Sequence, residues 1–191
     1  MIRRWAKKGS EGFTLIELMI VVAIVGILAV LAVYGVRKYL ANAKTAEAKN
    51  SLGAIAKDAS AAYQKESMGG SVLPQTNSAQ LSQQLCGKAG APVPSDISKV
   101  KGQKYQSSPT DWTNSGTDSA ANVGFPCLKF TMDDPQYYMY NYTSDGTSTY
   151  TGTANGDLDA NGTQSTFSIT GAVQNGVLNT APNLSITNED E

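Results

Sequence analysis

The residue with the most unusual chemical position is Glu17, a carboxylate at the start of a long apolar segment. From Leu18 to Val36 the chain has 19 consecutive residues without a charged side chain. As a helix this run would be roughly 28 Å long, about the thickness of the hydrocarbon core of a bilayer. An ionised group costs roughly 2.5–3.5 kcal/mol toward the bilayer centre, so a plain anchor has no reason to keep it. The pattern predicts a membrane-inserted helix whose glutamate has a separate role.

The residues before this segment form a short basic leader that contains Arg3, Arg4, Lys7 and Lys8. In a secretory signal the small residue of the cleavage site follows the apolar stretch. Here Gly12 precedes it, so cleavage after Gly12 would remove the leader and keep the helix. The basic residues predict a cytoplasmic leader, and the remainder of the chain is then expected on the other side of the membrane.

The run Gly12-Phe13-Thr14-Leu15-Ile16-Glu17-Leu18, with the apolar residues after it, resembles the type IV prepilin signature over roughly the first 50 residues. The resemblance implies that a prepilin peptidase cleaves between Gly12 and Phe13 and that the new amine of Phe13 is N-methylated. It also implies that Glu17 guides assembly by pairing with the Phe13 amine of a neighbouring subunit, since a buried carboxylate needs a partner. A glutamate that only reaches the membrane interface is the alternative.

The composition argues against an enzyme and against a nucleic-acid partner. The 191 residues include no histidine, which removes the usual general base and the commonest metal ligand. No nucleophile elbow, phosphate-binding loop or Cys-x-x-Cys pair is present. Without the leader the net charge is about −4, and the basic-aromatic set is small. That set consists of Lys99, Lys101, Lys104 and Tyr105.

The sequence contains two cysteines, Cys86 and Cys127. In an oxidising compartment such a pair most often forms a disulfide, which would close a loop of about 40 residues. Two separate buried thiols are the alternative.

A possible metal site lies in Gly156-Asp157-Leu158-Asp159-Ala160-Asn161-Gly162. Asp157, Asp159 and Asn161 place oxygen ligands at alternate positions before a glycine, as in the first half of a calcium-binding EF-hand loop. The twelfth position holds Ser168 instead of a bidentate glutamate. A polar turn whose side chains bond their own backbone is the favoured interpretation, and calcium is the alternative.

The elements that would position these residues indicate an α+β protein, and the resemblance implies the type IV pilin fold. The domains are a leader (1–12), a long helix (13–67) with a membrane-spanning or filament-core half (13–36), a connecting region (68–130) and an antiparallel sheet with a tail (131–191). The helical face predicted to cover the sheet has the spacing of three and four residues: it consists of Leu52, Ile55, Ala56, Ala59 and Tyr63. Three features are expected in the connecting region: a glycine cap at Met68-Gly69-Gly70, a short helix at 78–85, and an irregular surface loop around Trp112, Asn114 and Gly116.

The resemblance implies a structural subunit of a type IV pilus filament that serves surface adhesion, twitching motility or DNA uptake. It also implies the partners: copies of the chain, the prepilin peptidase, the membrane, and an inner-membrane platform with its ATPases. The subunit would reside in the inner membrane before assembly and in a surface filament afterwards. A pseudopilin of a type II secretion system, a minor pilin and a tip adhesin are the alternatives.

Overall fold

The computed structural model describes residues 12–65, 83–113 and 122–189. One long helix, α1 (Leu15–Tyr63), is followed by a 3-10 helix (Ile97–Val100) and the short helices α2 (Pro109–Thr113) and α3 (Gly124–Leu128). Five strands complete the chain: β1 (Met139–Ser144), β2 (Thr149–Gly156), β3 (Ser165–Gln174), β4 (Val177–Thr180) and β5 (Ser185–Thr187). The predicted α+β class, with a long first helix and a C-terminal antiparallel sheet, is confirmed.

The chain divides after Leu40 into two compact units. In the first unit, every large apolar side chain from Phe13 to Leu40 is at least half exposed, with Val21 at 50% and Phe13 at 83%. The helix contains a window long and apolar enough to cross a membrane. Helix α1 begins two residues later than predicted. The leader residues 1–11 lie outside the described part of the chain.

In the second unit the remainder of α1 is amphipathic, as its spacing predicts. The five residues of the predicted stripe are all buried, together with Thr45 and Ala48. Gly152 of β2 allows the close approach of this face, because a Cβ there would lie 3.2 Å from the Ile55 side chain and 3.4 Å from that of Leu52. The helix ends at Tyr63, before the predicted end at 67. The expected glycine cap and most of the expected helix at 78–85 lie outside the described residues.

The sheet is antiparallel in the order β1-β2-β3-β4, and β5 pairs with β3 beside β4. The turns at Asp145-Gly146 and Asn175-Gly176 join β1 to β2 and β3 to β4. Burial alternates along β1 and β2, so one face packs on the core while the other carries threonine and asparagine. The outer edge of β1 is not free, since Val93 exchanges two backbone hydrogen bonds with Tyr140.

The expectation of an irregular surface loop at Trp112 is wrong. Trp112 is 1% exposed and lies on α2. Its indole packs edge-on against Phe125, at 4.9 Å between ring centroids, and against Phe130 at 5.3 Å. Its Nε1 donates to Ser107 Oγ at 3.0 Å. A short segment of mostly polar residues gives no periodicity from which this burial could be inferred; Asn114 and Gly116 lie outside the described residues.

Candidate functional site

The first turn of α1 is closed by Thr14 and Glu17. The Glu17 carboxylate accepts hydrogen bonds from the Thr14 N–H (2.8 Å) and from the Thr14 hydroxyl (2.6 Å). In return, the Glu17 N–H donates to Thr14 Oγ1 at 3.3 Å. This reciprocal pattern is a capping box, which satisfies backbone donors that have no partner inside the helix. Glu17 therefore has a local structural role that its Thr-x-x-Glu spacing could have revealed.

The capping box leaves the carboxylate able to bind a further partner. An ionised carboxylate has about four lone-pair sites on its two oxygens, and both hydrogen bonds from Thr14 go to Oε2. Glu17 is exposed at the head of a helix whose next charged residue is Arg37. Local capping and pairing with a positive group of another molecule are thus compatible at Glu17.

The two cysteines form the expected bridge. Cys86 and Cys127 are joined by a disulfide, with 5.8 Å between their Cα atoms and a sequence separation of 41 residues. Beside it, the Gly87 N–H donates to the Asn122 carbonyl at 3.0 Å, and the Gly124 N–H donates to the Gly87 carbonyl at 2.9 Å. The disulfide therefore ties the segment that borders β1 to α3, in which Cys127 is the fourth of five residues.

Glu47 is a polar residue of α1 that the sequence analysis did not single out. Its carboxylate accepts from the Tyr137 N–H at 2.9 Å and from the Tyr140 hydroxyl at 3.1 Å. Burial raises the pKa of Glu47, while these hydrogen bonds and the charge of Lys104 act in the opposite direction. Glu47 thus connects the helix to the beginning of β1 by a partly buried polar contact. Its sequence neighbourhood resembles any solvated helix face, so no sequence signal distinguishes it.

The turn between β2 and β3 contains the predicted calcium ligands. Asp159 Oδ1 accepts from the Asn161 N–H at 3.1 Å, and Asn161 Oδ1 accepts from the Thr163 N–H at 2.6 Å. Asp157 is 3% exposed, and its Oδ2 accepts from the Gly162 N–H at 3.0 Å. Asp and Asn side chains that bond their own backbone are what the polar-turn interpretation predicts. No group of three or more acidic, cysteine or histidine side chains suited to a metal occurs in the part of the chain that the structure describes.

The structure adds Lys44 and Tyr137 to the basic-aromatic set, but the surface that these residues form is not strongly basic. Lys99 lies over the Tyr105 ring, and both Lys44 and Lys104 lie over Tyr137. Acids are interleaved with these lysines. The Asp111 carboxylate accepts hydrogen bonds from the Ser108 N–H and from the Tyr105 hydroxyl, each at 2.9 Å. These bonds, that from the Ser108 N–H first, hold the pKa of Asp111 below its usual value. This mixture of charges favours a solvated face over a site for a polyanion.

The comparisons with known proteins point to the first helix. Residues 7–33 match the family model described as the prokaryotic N-terminal methylation motif. No curated protein sequence and no solved structure matches the chain. The matched residues include the expected cleavage position, the capping box and most of the apolar run. The chain thus carries the motif that marks type IV pilin-like prepilins, on a long helix and antiparallel sheet consistent with the type IV pilin fold.

Proposed function

We propose that this protein is the repeating subunit of a type IV pilus, assembled through the first half of α1. The observation that carries the proposal is the uninterrupted exposure of that half, headed by Glu17. Nineteen uncharged residues with at least half-exposed apolar side chains require a nonaqueous environment. A membrane supplies it before assembly, and the same helices of other subunits supply it in a filament.

The energetics require a driven assembly. Removing apolar surface from water contributes about 25 cal/mol per Å², but lipid already shields that surface before assembly. Helices therefore gain little hydrophobic free energy on leaving the bilayer for a bundle. This balance supports an inner-membrane platform with ATPases as partners, and it supports direct polar contacts as the source of register between subunits.

Glu17 is the residue that we propose sets this register. Cleavage after Gly12 would give Phe13 a free amine, which stays cationic when N-methylated. A carboxylate and a cation removed from water are stable only as a pair. The Glu17 carboxylate of one subunit would therefore accept the Phe13 amine of its neighbour while Thr14 remains bound to Oε2.

Glu17→Gln separates this role from helix capping, because glutamine also completes a capping box. Thr14→Ser is the matched control, since it keeps both the hydroxyl and the charge of Glu17. We expect normal filaments with Thr14→Ser and a loss of at least about tenfold in sheared filaments with Glu17→Gln. Wild-type filament yield from the Glu17→Gln chain would contradict charge pairing at this position.

The nature of the filament is tested by mass spectrometry of material sheared from cells. We expect an abundant N-terminal peptide that begins with methylated Phe13. Processed chain confined to the inner membrane would favour a type II secretion pseudopilin or a minor pilin. An uncleaved leader in every fraction would contradict both. Surface adhesion, twitching motility and DNA uptake are the proposed uses of the filament, and each is scored by comparing cells with and without the gene.

A further inference from the structure

We propose that the ammonium group of Lys101 takes the place of a calcium ion in the Gly156–Gly162 turn, so that this turn is held by the protein's own cation. The inference concerns the sheet unit and does not depend on filament formation. It rests on the contact between Lys101 Nζ and Asp157 Oδ2, which are 3.5 Å apart.

The backbone brings the two residues together. Lys101 and Asp157 form an isolated parallel bridge, and the Gly102 N–H donates to the Asp157 carbonyl at 2.7 Å. Gly102 has a φ of +63°, and a Cβ there would lie 3.0 Å from that of Ala160. The end of the 3-10 helix therefore lies directly against the turn, and Lys101 extends from it.

The Asp157 carboxylate needs a positive partner. Its side chain is 4% exposed, whereas that of Lys101 is 45% exposed. Asp157 Oδ1 is buried without a hydrogen-bond partner, so the carboxylate has lost part of its hydration. A buried charge of this kind is costly unless it is paired. Lysine can reach it because its long apolar stem packs along the surface while the ammonium group retains water.

The remaining side chains of the turn do not suit calcium. Calcium takes six to eight oxygen ligands, usually including several carboxylates. Both oxygens of Asp159 already accept a hydrogen bond from Asn161, since its Oδ2 also accepts from Asn161 Nδ2 at 2.9 Å. Ser168, at the position where an EF-hand loop has its bidentate glutamate, lies within β3 opposite Thr153. A calcium ion would also be repelled by Lys101, which already contacts the one buried carboxylate of the turn.

The test is thermal unfolding of the full chain in detergent, in EGTA and in millimolar CaCl₂. Lys101→Met removes the charge and keeps the stem. Lys49→Met is the matched control, because Lys49 pairs with Glu189 where both side chains are well exposed. We expect the wild-type Tm to be the same in both buffers. We expect Lys101→Met to lower the Tm by at least about 4 °C, and Lys49→Met by less than about 2 °C.

Adding Asp157→Asn to Lys101→Met provides the second arm, since it removes the carboxylate that has lost its partner. The double variant should recover at least half of the decrease in Tm that Lys101→Met causes. It also keeps the test informative if Lys101→Met alone does not fold. Two results would overturn the proposal: a wild-type Tm that rises in CaCl₂ and loses this rise with Asp157→Asn, or equal Tm values for Lys101→Met and Lys49→Met.

Discussion

Removal of the disulfide should cost the sheet unit about 4 kcal/mol of stability. The perturbation is the pair Cys86→Ala and Cys127→Ala, which avoids placing a hydroxyl at Cys86, a residue 2% exposed. The bridge spans 41 positions, and in the chain-entropy model a loop of that length constrains the unfolded state by about 4 kcal/mol. The two backbone hydrogen bonds of Gly87 remain in the variant. The folded state should therefore change little.

Urea unfolding monitored by tryptophan fluorescence measures this difference. The chain has two tryptophans, Trp5 and Trp112, and Trp112 is buried among aromatic rings. Trp5→Phe in both proteins makes the signal specific to Trp112. We expect a lower urea midpoint and a Tm lower by about 8–16 °C, from about 2–4 °C per kcal/mol for a chain of this size. Addition of a reductant should lower the urea midpoint of the bridged protein but leave that of the alanine variant unchanged. A decrease in the free energy of unfolding of less than about 1 kcal/mol would refute the assumption that, without the disulfide, this loop is unconstrained in the unfolded state.

Three further substitutions test the contact between α1 and the sheet, packing within the sheet, and an open position of α1. Burial raises the pKa of Glu47 above its ordinary value of 4.5, so folding disfavours the charged form. Its contribution to stability is therefore greatest below pH 4.5 and is lost as the pH rises through the folded pKa. Glu47→Gln keeps an acceptor for Tyr137 and Tyr140, and it should remove this pH dependence of the unfolding free energy in urea titrations. A difference in unfolding free energy between wild type and variant that stays constant from acid to neutral pH would contradict this expectation. Gly171→Ala should destabilise by about 1–3 kcal/mol, because a Cβ there would lie 2.2 Å from the buried Tyr150 ring. Gly53→Ala is the control, because it lies in an open helical position and should stabilise the protein by up to about 1 kcal/mol. If both alanine variants change the urea midpoint equally, the close approach of a Cβ at Gly171 to Tyr150 does not destabilise the fold.

The amino-acid sequence alone determined the features that depend on local pattern. The uncharged run and the spacing of the helical stripe each lie within one helix, and both predictions agree with the structure. The Gly12-to-Glu17 motif is also local, and it is part of the region that matches the methylation motif. The cysteine pair was predictable because two residues allow a single intramolecular pairing.

Only the tertiary structure decided which polar and aromatic residues are removed from water. Trp112 becomes core because α2 lies against Phe125 and Phe130, and Glu47 is half-buried because β1 begins beside α1. Asp157 meets Lys101 across 56 residues of sequence through a single backbone bridge. Burial and charge pairing of this kind depend on contacts between distant segments, and a pattern of neighbouring residues does not encode them.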